Sequence, residues 1–260
     1  IIQNNFELPS TRLMGNRDAW DCHGMVWFIQ ELNRKFGQYA ASHSDFYLHD
    51  LHYLAASYGL DAWHDDSYWY LYKYAMTLDA VPELAYSLTR IIRSIYGKNK
   101  KVLALDLDNT LWGGVIGDDG QEGIAIGQET AEAEAYTEVQ EYCKAQKQLT
   151  VCSKNEPENA KLGLSHPDSV LHEEDFVTIC ANWEPKDQNL LHTAETLSLL
   201  PESFVFVDDN PAERDIVSAQ IPGIAVPAFD SPTDCIRVLD HAGYFETTTF
   251  SAAAPVLNTY

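Results

Sequence analysis

The chain reads as an α/β protein: a parallel sheet covered by helices on both faces, preceded by a smaller α/β unit. Two observations carry that reading. From about residue 99 onward, short apolar runs alternate with helix-length, well-capped segments, the pattern of strands buried on both sides. Polar and charged residues gather where those runs end, which is where open parallel sheets bind their ligands.

The first unit opens on the strand-like Ile1-Ile2-Gln3 without an initiating Met, so a piece of a longer polypeptide is expected. Residues 24–41 carry helical periodicity, 46–49 suit a short strand and 79–96 a second helix. Between Trp63 and Tyr74 stand six aromatics, Trp63, Tyr68, Trp69, Tyr70, Tyr72 and Tyr74, which are expected to pack in the core or at a domain interface. The basic, Gly-containing stretch Tyr96-Gly97-Lys98-Asn99-Lys100-Lys101 marks a boundary, giving units 1–98 and 99–260. In the second unit strands are predicted near 102–107, 148–152, 176–180, 203–208 and 223–226. Thr130 before a Glu-rich turn, Asn210-Pro211 and Ser231-Pro232 read as helix starts, and Gly243 as a helix end.

Bulk composition sets limits. A net charge of −22 argues against nucleic acid, which is bound through clusters of Lys and Arg. Lys98, Lys100 and Lys101 form the one basic cluster, which serves either an anionic substrate or a solvated linker. No apolar run is long enough for a bilayer, and no signal peptide opens the chain, so no membrane partner is expected. Five cysteines, an odd count without metal-site spacing, fit a reduced cytoplasmic setting.

The chemistry concentrates in Val102-Leu-Ala-Leu-Asp-Leu-Asp-Asn-Thr110. Asp106 and Asp108 are two apart at a strand end and can face one reacting atom. One can attack or hold a metal while the other moves a proton, as phosphoryl hydrolysis through a covalent intermediate requires. Three later segments join them: Leu149–Ser153 ending in a hydroxyl, Lys186 after Pro185 at a helix start, and Phe204–Val207 ending in Asp208 and Asp209. The gaps between Asp106, Ser153 and Lys186 are too short for an inserted cap domain, which needs ~50 residues of its own. An open site, suited to a bulky or protein-borne substrate, is therefore expected.

Taken together, Asp-x-Asp-x-Thr, Ser153, Lys186 and Asp208-Asp209 resemble the four motifs of the haloacid dehalogenase (HAD) phosphohydrolase superfamily. The resemblance implies a capless HAD-type fold with Asp106 as nucleophile and Asp108 as general acid and base. It places Mg²⁺ on Asp106, Asp208, Asp209 and the Asp108 backbone carbonyl. Thr110 and Ser153 would bind phosphoryl oxygens and Lys186 would neutralise charge, aided by the start of the helix opened by Pro157.

Four longer stretches, Leu105–Gly117, Val151-Cys-Ser-Lys-Asn155, Asn182-Trp-Glu-Pro-Lys186 and Phe204–Pro211, look like the FkbH-like branch of that superfamily. In that branch the preceding region is similar to part of an SGNH-hydrolase domain, but here it lacks the Gly-Asp-Ser nucleophile motif, so no hydrolase activity carries over. The branch implies a glyceryl transferase/phosphatase that takes 1,3-bisphosphoglycerate and loads glycerate on the phosphopantetheine thiol of an acyl carrier protein in polyketide or tetronate biosynthesis. Asn155 is placed with the phosphate-binding residues. Cys152 is either the acyl acceptor or a buried strand residue. A capless phosphatase acting on phosphoserine is the alternative, and a non-catalytic docking module a third reading.

Overall fold

The computed structural model describes residues 1–146 and 148–248, and the chain divides between Gly97 and Lys98 into two compact units. Among the described residues no helix is long and apolar enough to cross a membrane.

In the first unit β1 (Ile2–Asn4) pairs in parallel with β2 (Tyr47–His49), and α1 (Met25–Ser42) makes the crossover that parallel pairing demands. Four helices follow: α2 (Leu51–Tyr58), α3 (Leu60–Trp63), α4 (Asp66–Tyr72) and α5 (Val81–Ile95). Asp50 and Asp65 cap α2 and α4 by accepting from the Tyr53 and Tyr68 backbone N–H groups. Leu51, Ala55, Trp63 and Ala80 make a small core. Trp63 is thus packed as expected, but Tyr68, Trp69, Tyr70, Tyr72 and Tyr74 are exposed. Helix α4 has no buried residue, so its aromatics lie outside the core, one of the two places expected for them. The chain returns to this unit at Glu246, which meets Arg90 at 3.3 Å and accepts from Ser94 Oγ through its carbonyl at 2.9 Å. Those contacts from α5 remove the segment at Glu246 from the second unit, where continuity of sequence had put it.

The second unit runs β3 (Val102–Leu105), α6 (Ile116–Asp119), α7 (Ala131–Lys144), β4 (Leu149–Ser153), α8 (Pro157–Leu164), β5 (Phe176–Ala181), α9 (Lys186–Thr196), β6 (Phe204–Val207), α10 (Pro211–Gln220) and α11 (Pro232–Ala242). The sheet is parallel throughout with strand order β5-β4-β3-β6. Every residue of β3, β4 and β6 is buried, because alternate side chains enter two cores. Leu103, Leu105, Val151, Val205 and Val207 join α7, α8 and α11 on one face. Val102, Ala104, Cys152, Phe204 and Phe206 pack with Leu190, Ala194 and Val217 on the other.

Local chemistry starts and stops the helices where expected. Thr130, Asn210 and Ser231 each accept from a backbone N–H of the first turn of α7, α10 and α11, and Gly243 ends α11 at φ +55°. Buried Gln140 on α7 donates to the Leu111 carbonyl at 2.8 Å and accepts from the N–H groups of Val170 and Leu171, pinning the segment after β3. The predicted strand at 223–226 does not form. Ala225 alone bridges Val205, since Pro222 and Pro227 bracket the segment and proline cannot extend a ladder. Lys100 belongs neither to a basic cluster nor to a solvated linker. It is buried and donates to the carbonyls of Glu202 and Gly223.

Trp112 lies fully buried against Gly163 of α8, where an added Cβ would overlap the indole ring. Gly163→Ala is expected to destabilise the second unit by about 2 kcal/mol through overpacking. Urea unfolding followed by tryptophan fluorescence checks this; an unchanged midpoint would show that the ring can move aside.

Candidate active site

Three strands and one helix deliver the predicted residues to one end of the sheet. Central β3 ends at Leu105, and the Asp106 N–H still donates to the Val207 carbonyl of β6, so Asp106 leaves the sheet beside Asp208. Ser153 closes β4, and Lys186 opens α9. The cleft between them, about 210 Å³, is lined by Asp106, Asp108, Asn109, Ser153, Lys154, Lys186, Asp209, Asn210 and Glu213. Among the described residues the segments joining the strands of this sheet carry only α6 to α9, loops and 3-10 turns, so no cap domain is inserted between them.

Lys186 is 3% exposed, with Nζ 2.9 Å from Asp106 Oδ2 and 2.5 Å from Asp208 Oδ2. Burial alone would pull its pKa down; the charges of Asp106 and Asp208 and their hydrogen bonds outweigh that and hold it above the usual lysine range. One ammonium faces three carboxylates, because carboxylate oxygens of Asp106, Asp208 and Asp209 lie within 4.8 Å of one another. Burial, then the charge of Asp106, pushes Asp208 and Asp209 up from ordinary carboxylate values. That excess of closely spaced hard oxygens, open to solvent on the cleft side, fits a small divalent cation that keeps several waters.

Asp108 is held differently. Its Oδ1 accepts from Trp112 Nε1 at 2.9 Å and from the Ile116 N–H at 3.1 Å, and its Oδ2 from Asn155 Nδ2 at 2.9 Å. Burial is the largest influence and raises its pKa; the Ile116 and Trp112 hydrogen bonds work against it, and Asp106 adds to it. Two carboxylates two residues apart therefore have unlike environments, one salt-bridged and one oriented by neutral donors. Such a pair can divide nucleophile from proton carrier.

A search against family models and a search of curated proteins each found no match. Among solved structures, the N-terminal part of the protein BF1531 from Bacteroides fragilis, which contains a phosphatase domain and is complexed with Mg, superposes with a TM-score of 0.91 at 34% identity. The match covers 96% of this chain and 68% of that one. The chain belongs to the haloacid dehalogenase (HAD) family of phosphatases.

A HAD family enzyme from Bacteroides thetaiotaomicron, complexed with magnesium and inorganic phosphate, aligns at a TM-score of 0.34 and 12% identity, over 49% of this chain and 93% of that one. A predicted HAD-like hydrolase from Porphyromonas gingivalis aligns at 0.35 and 14%, over 49% of this chain and 90% of that one.

The HAD site gathers Asp106, Asp108, Ser153, Lys186, Asp208 and Asp209 as the sequence anticipates, but three expected members stand elsewhere. Thr110 does not line the cleft: buried, its hydroxyl accepts from the Asp209 N–H at 3.2 Å and ties the β3 loop to the β6 loop. Asn155 is not among the lining residues either, and its amide donates to Asp108. Cys152, left open between acyl acceptor and buried strand residue, stands as a buried strand residue. Strand alternation turns it to the face opposite Val151, where it is 1% exposed and its Sγ donates to the Lys186 carbonyl at 3.5 Å. Burial pushes its thiol far up, away from the reactive thiolate. The first turn of α8, expected to hold the anion, is also absent from the lining.

Several residues were missed. Asn109, in the left-handed region at φ +55°, turns the chain out of β3 and lines the cleft while accepting from the Gly114 N–H. Arg214 donates to the carbonyls of Asp208 and Asp209 at 2.9 and 3.1 Å and so fixes the acidic turn. Lys154, Asn210 and Glu213 complete the rim. Their one sequence signal was adjacency to a motif, which says nothing about direction.

If Asn155 orients Asp108, Asn155→Ala is expected to lower kcat roughly 10- to 100-fold, a share of what positioned acid–base catalysis supplies, with KM within about twofold. Steady-state hydrolysis of p-nitrophenyl phosphate checks this. A rise in KM at constant kcat would return Asn155 to phosphate binding.

Proposed function

We propose that this chain is a Mg²⁺-dependent HAD phosphohydrolase acting on a phosphorylated glycerate, whose glyceryl unit passes to the phosphopantetheine thiol of an acyl carrier protein. The observation that carries the hydrolase reading is the convergence of Asp106, Asp108, Ser153 and Lys186 on one uncapped cleft. The FkbH-like text around Trp112 and Asn182–Lys186 supports the glyceryl substrate, and the open cleft suits a carrier-borne one.

In this reading Asp106 attacks phosphorus, the bond from phosphorus to the leaving oxygen breaks, and Asp108 gives that oxygen its proton. Water then attacks the aspartyl-phosphate, Asp108 takes the water's proton, and inorganic phosphate leaves with Asp106 restored. Lys186 and the Ser153 hydroxyl meet the phosphoryl oxygens as charge shifts among them. A divalent cation on Asp106, Asp208, Asp209 and the Asp108 carbonyl would screen the repulsion between carboxylate and phosphate dianion. Loading needs one further exchange: the carrier thiol attacks the acyl phosphate carbonyl, the carbon–sulfur bond forms, the carbon–oxygen bond to phosphate breaks, and the thiol's proton leaves with the departing phosphate. In this reading the transfer is direct, a choice supported by Cys152 facing the core.

Incubation with 1,3-bisphosphoglycerate, Mg²⁺ and a candidate carrier, read by intact-protein mass and phosphate release, should show one glyceryl added to the carrier. Asp106→Asn should cut phosphate release by about 10³-fold or more, and EDTA should abolish it until Mg²⁺ is restored. Cys152→Ala should change neither readout, and loss of loading alone would revive a cysteine relay. Phosphate released from phosphoserine peptides, with no product on any carrier, would favour the protein phosphatase instead.

A further inference from the structure

The lining of the cleft carries four carboxylates, Asp106, Asp108, Asp209 and Glu213, and two cations, Lys186 and Lys154. Lys186 is already committed, buried between Asp106 and Asp208. Lys154 is also paired with a carboxylate, but its side chain is exposed. It follows Ser153 directly at the end of β4, its side chain is 38% exposed, and its Nζ lies 2.6 Å from Glu213 Oε1 in the first turn of α10. This pair sits on the rim, one residue beyond the hydroxyl that meets the phosphoryl group.

We propose that Lys154 is the recognition cation for a second anionic group of the substrate, held in readiness by Glu213. The proposal rests on the phosphohydrolase reading and deepens it to a substrate class: small phosphate esters carrying a further carboxylate or phosphate. The electrostatic need is plain. A chain of net charge −22 repels a polyanion, and Glu213 repels it at the rim itself. A phosphoryl group satisfied by Lys186 and Ser153 leaves any second anion without a cation unless Lys154 turns to it. That exchange needs only the lysine to move: its side chain is 38% exposed while Glu213 is 13% exposed and stays in place, and a small ligand in the cleft shields its own contact with the ammonium from water. The competing explanation is a staple joining the end of β4 to α10, and a staple is indifferent to the charge of the ligand.

The test uses competition against p-nitrophenyl phosphate hydrolysis by the Mg²⁺-loaded protein, so that binding is read whether or not the competitor is turned over. 3-Phosphoglycerate and glycerol 3-phosphate share a skeleton and differ by one carboxylate. The wild-type protein should bind the first about tenfold more tightly, the worth of one charge-assisted hydrogen bond. Lys154→Met should erase that preference, Lys154→Arg should keep it, and Glu213→Gln should enlarge it by removing the competitor. Propane-1,3-diol bisphosphate, run alongside, tells by its relative Ki whether the second anion is a phosphate or a carboxylate. Equal Ki values in the wild type, or a preference that Lys154→Met leaves intact, would overturn the proposal. Absence of any p-nitrophenyl phosphate turnover would instead sink the phosphohydrolase reading beneath it.

Discussion

The ammonium of Lys186, 2.9 Å from Asp106 and 2.5 Å from Asp208, holds together groups that would otherwise repel one another inside the protein. Taking one partner out of such a buried arrangement typically costs about 3–5 kcal/mol, because a charge is left without company. The arrangement depends on the sheet. Leu105 and Val207 are paired in register on β3 and β6, so the next residues, Asp106 and Asp208, emerge side by side. Slipping that register by one residue would turn each strand's side chains to the wrong core and carry the carboxylates apart. Apolar packing on two faces of a parallel sheet thus sets the geometry of a polar site.

Around that centre a further set of residues acts by orientation. Trp112, Ile116 and Asn155 aim Asp108, Thr110 ties the two acidic loops, and Arg214 braces the carbonyls of Asp208 and Asp209. Three of these five are neutral donors, set in the segments that follow β3 and β4. They give Asp108 surroundings unlike those of Asp106 although the two lie two residues apart in the chain. The result is a small, strongly polar cleft in which Lys154 and Lys186 stand among carboxylates.

Much of this was legible in the amino-acid order. Apolar runs announced β3, β4, β5 and β6 to within a residue or two, and Thr130, Asn210 and Ser231 announced three helices, because capping and strand burial are short-range events. The chemistry-bearing residues at the strand ends followed from the same reading. The segment at 223–226 shows the limit: its residues suit a strand, but two prolines deny it more than one bridge.

What folding alone decided was direction. Cys152 and Ser153 are neighbours, yet one faces Phe206 and the helix α9 core while the other faces the cleft, a difference set by which way the pleat turns at the strand's end. Asn155 and Thr110 carry groups able to bind phosphate, and both were taken by partners far away in sequence, Asp108 and Asp209. Glu246 lies among residues of the second unit in sequence and packs on the first. Local order determines where strands and helices begin and which chemistry they carry. Which neighbour claims each donor is settled when distant segments close on one another, and no short window of sequence contains that information.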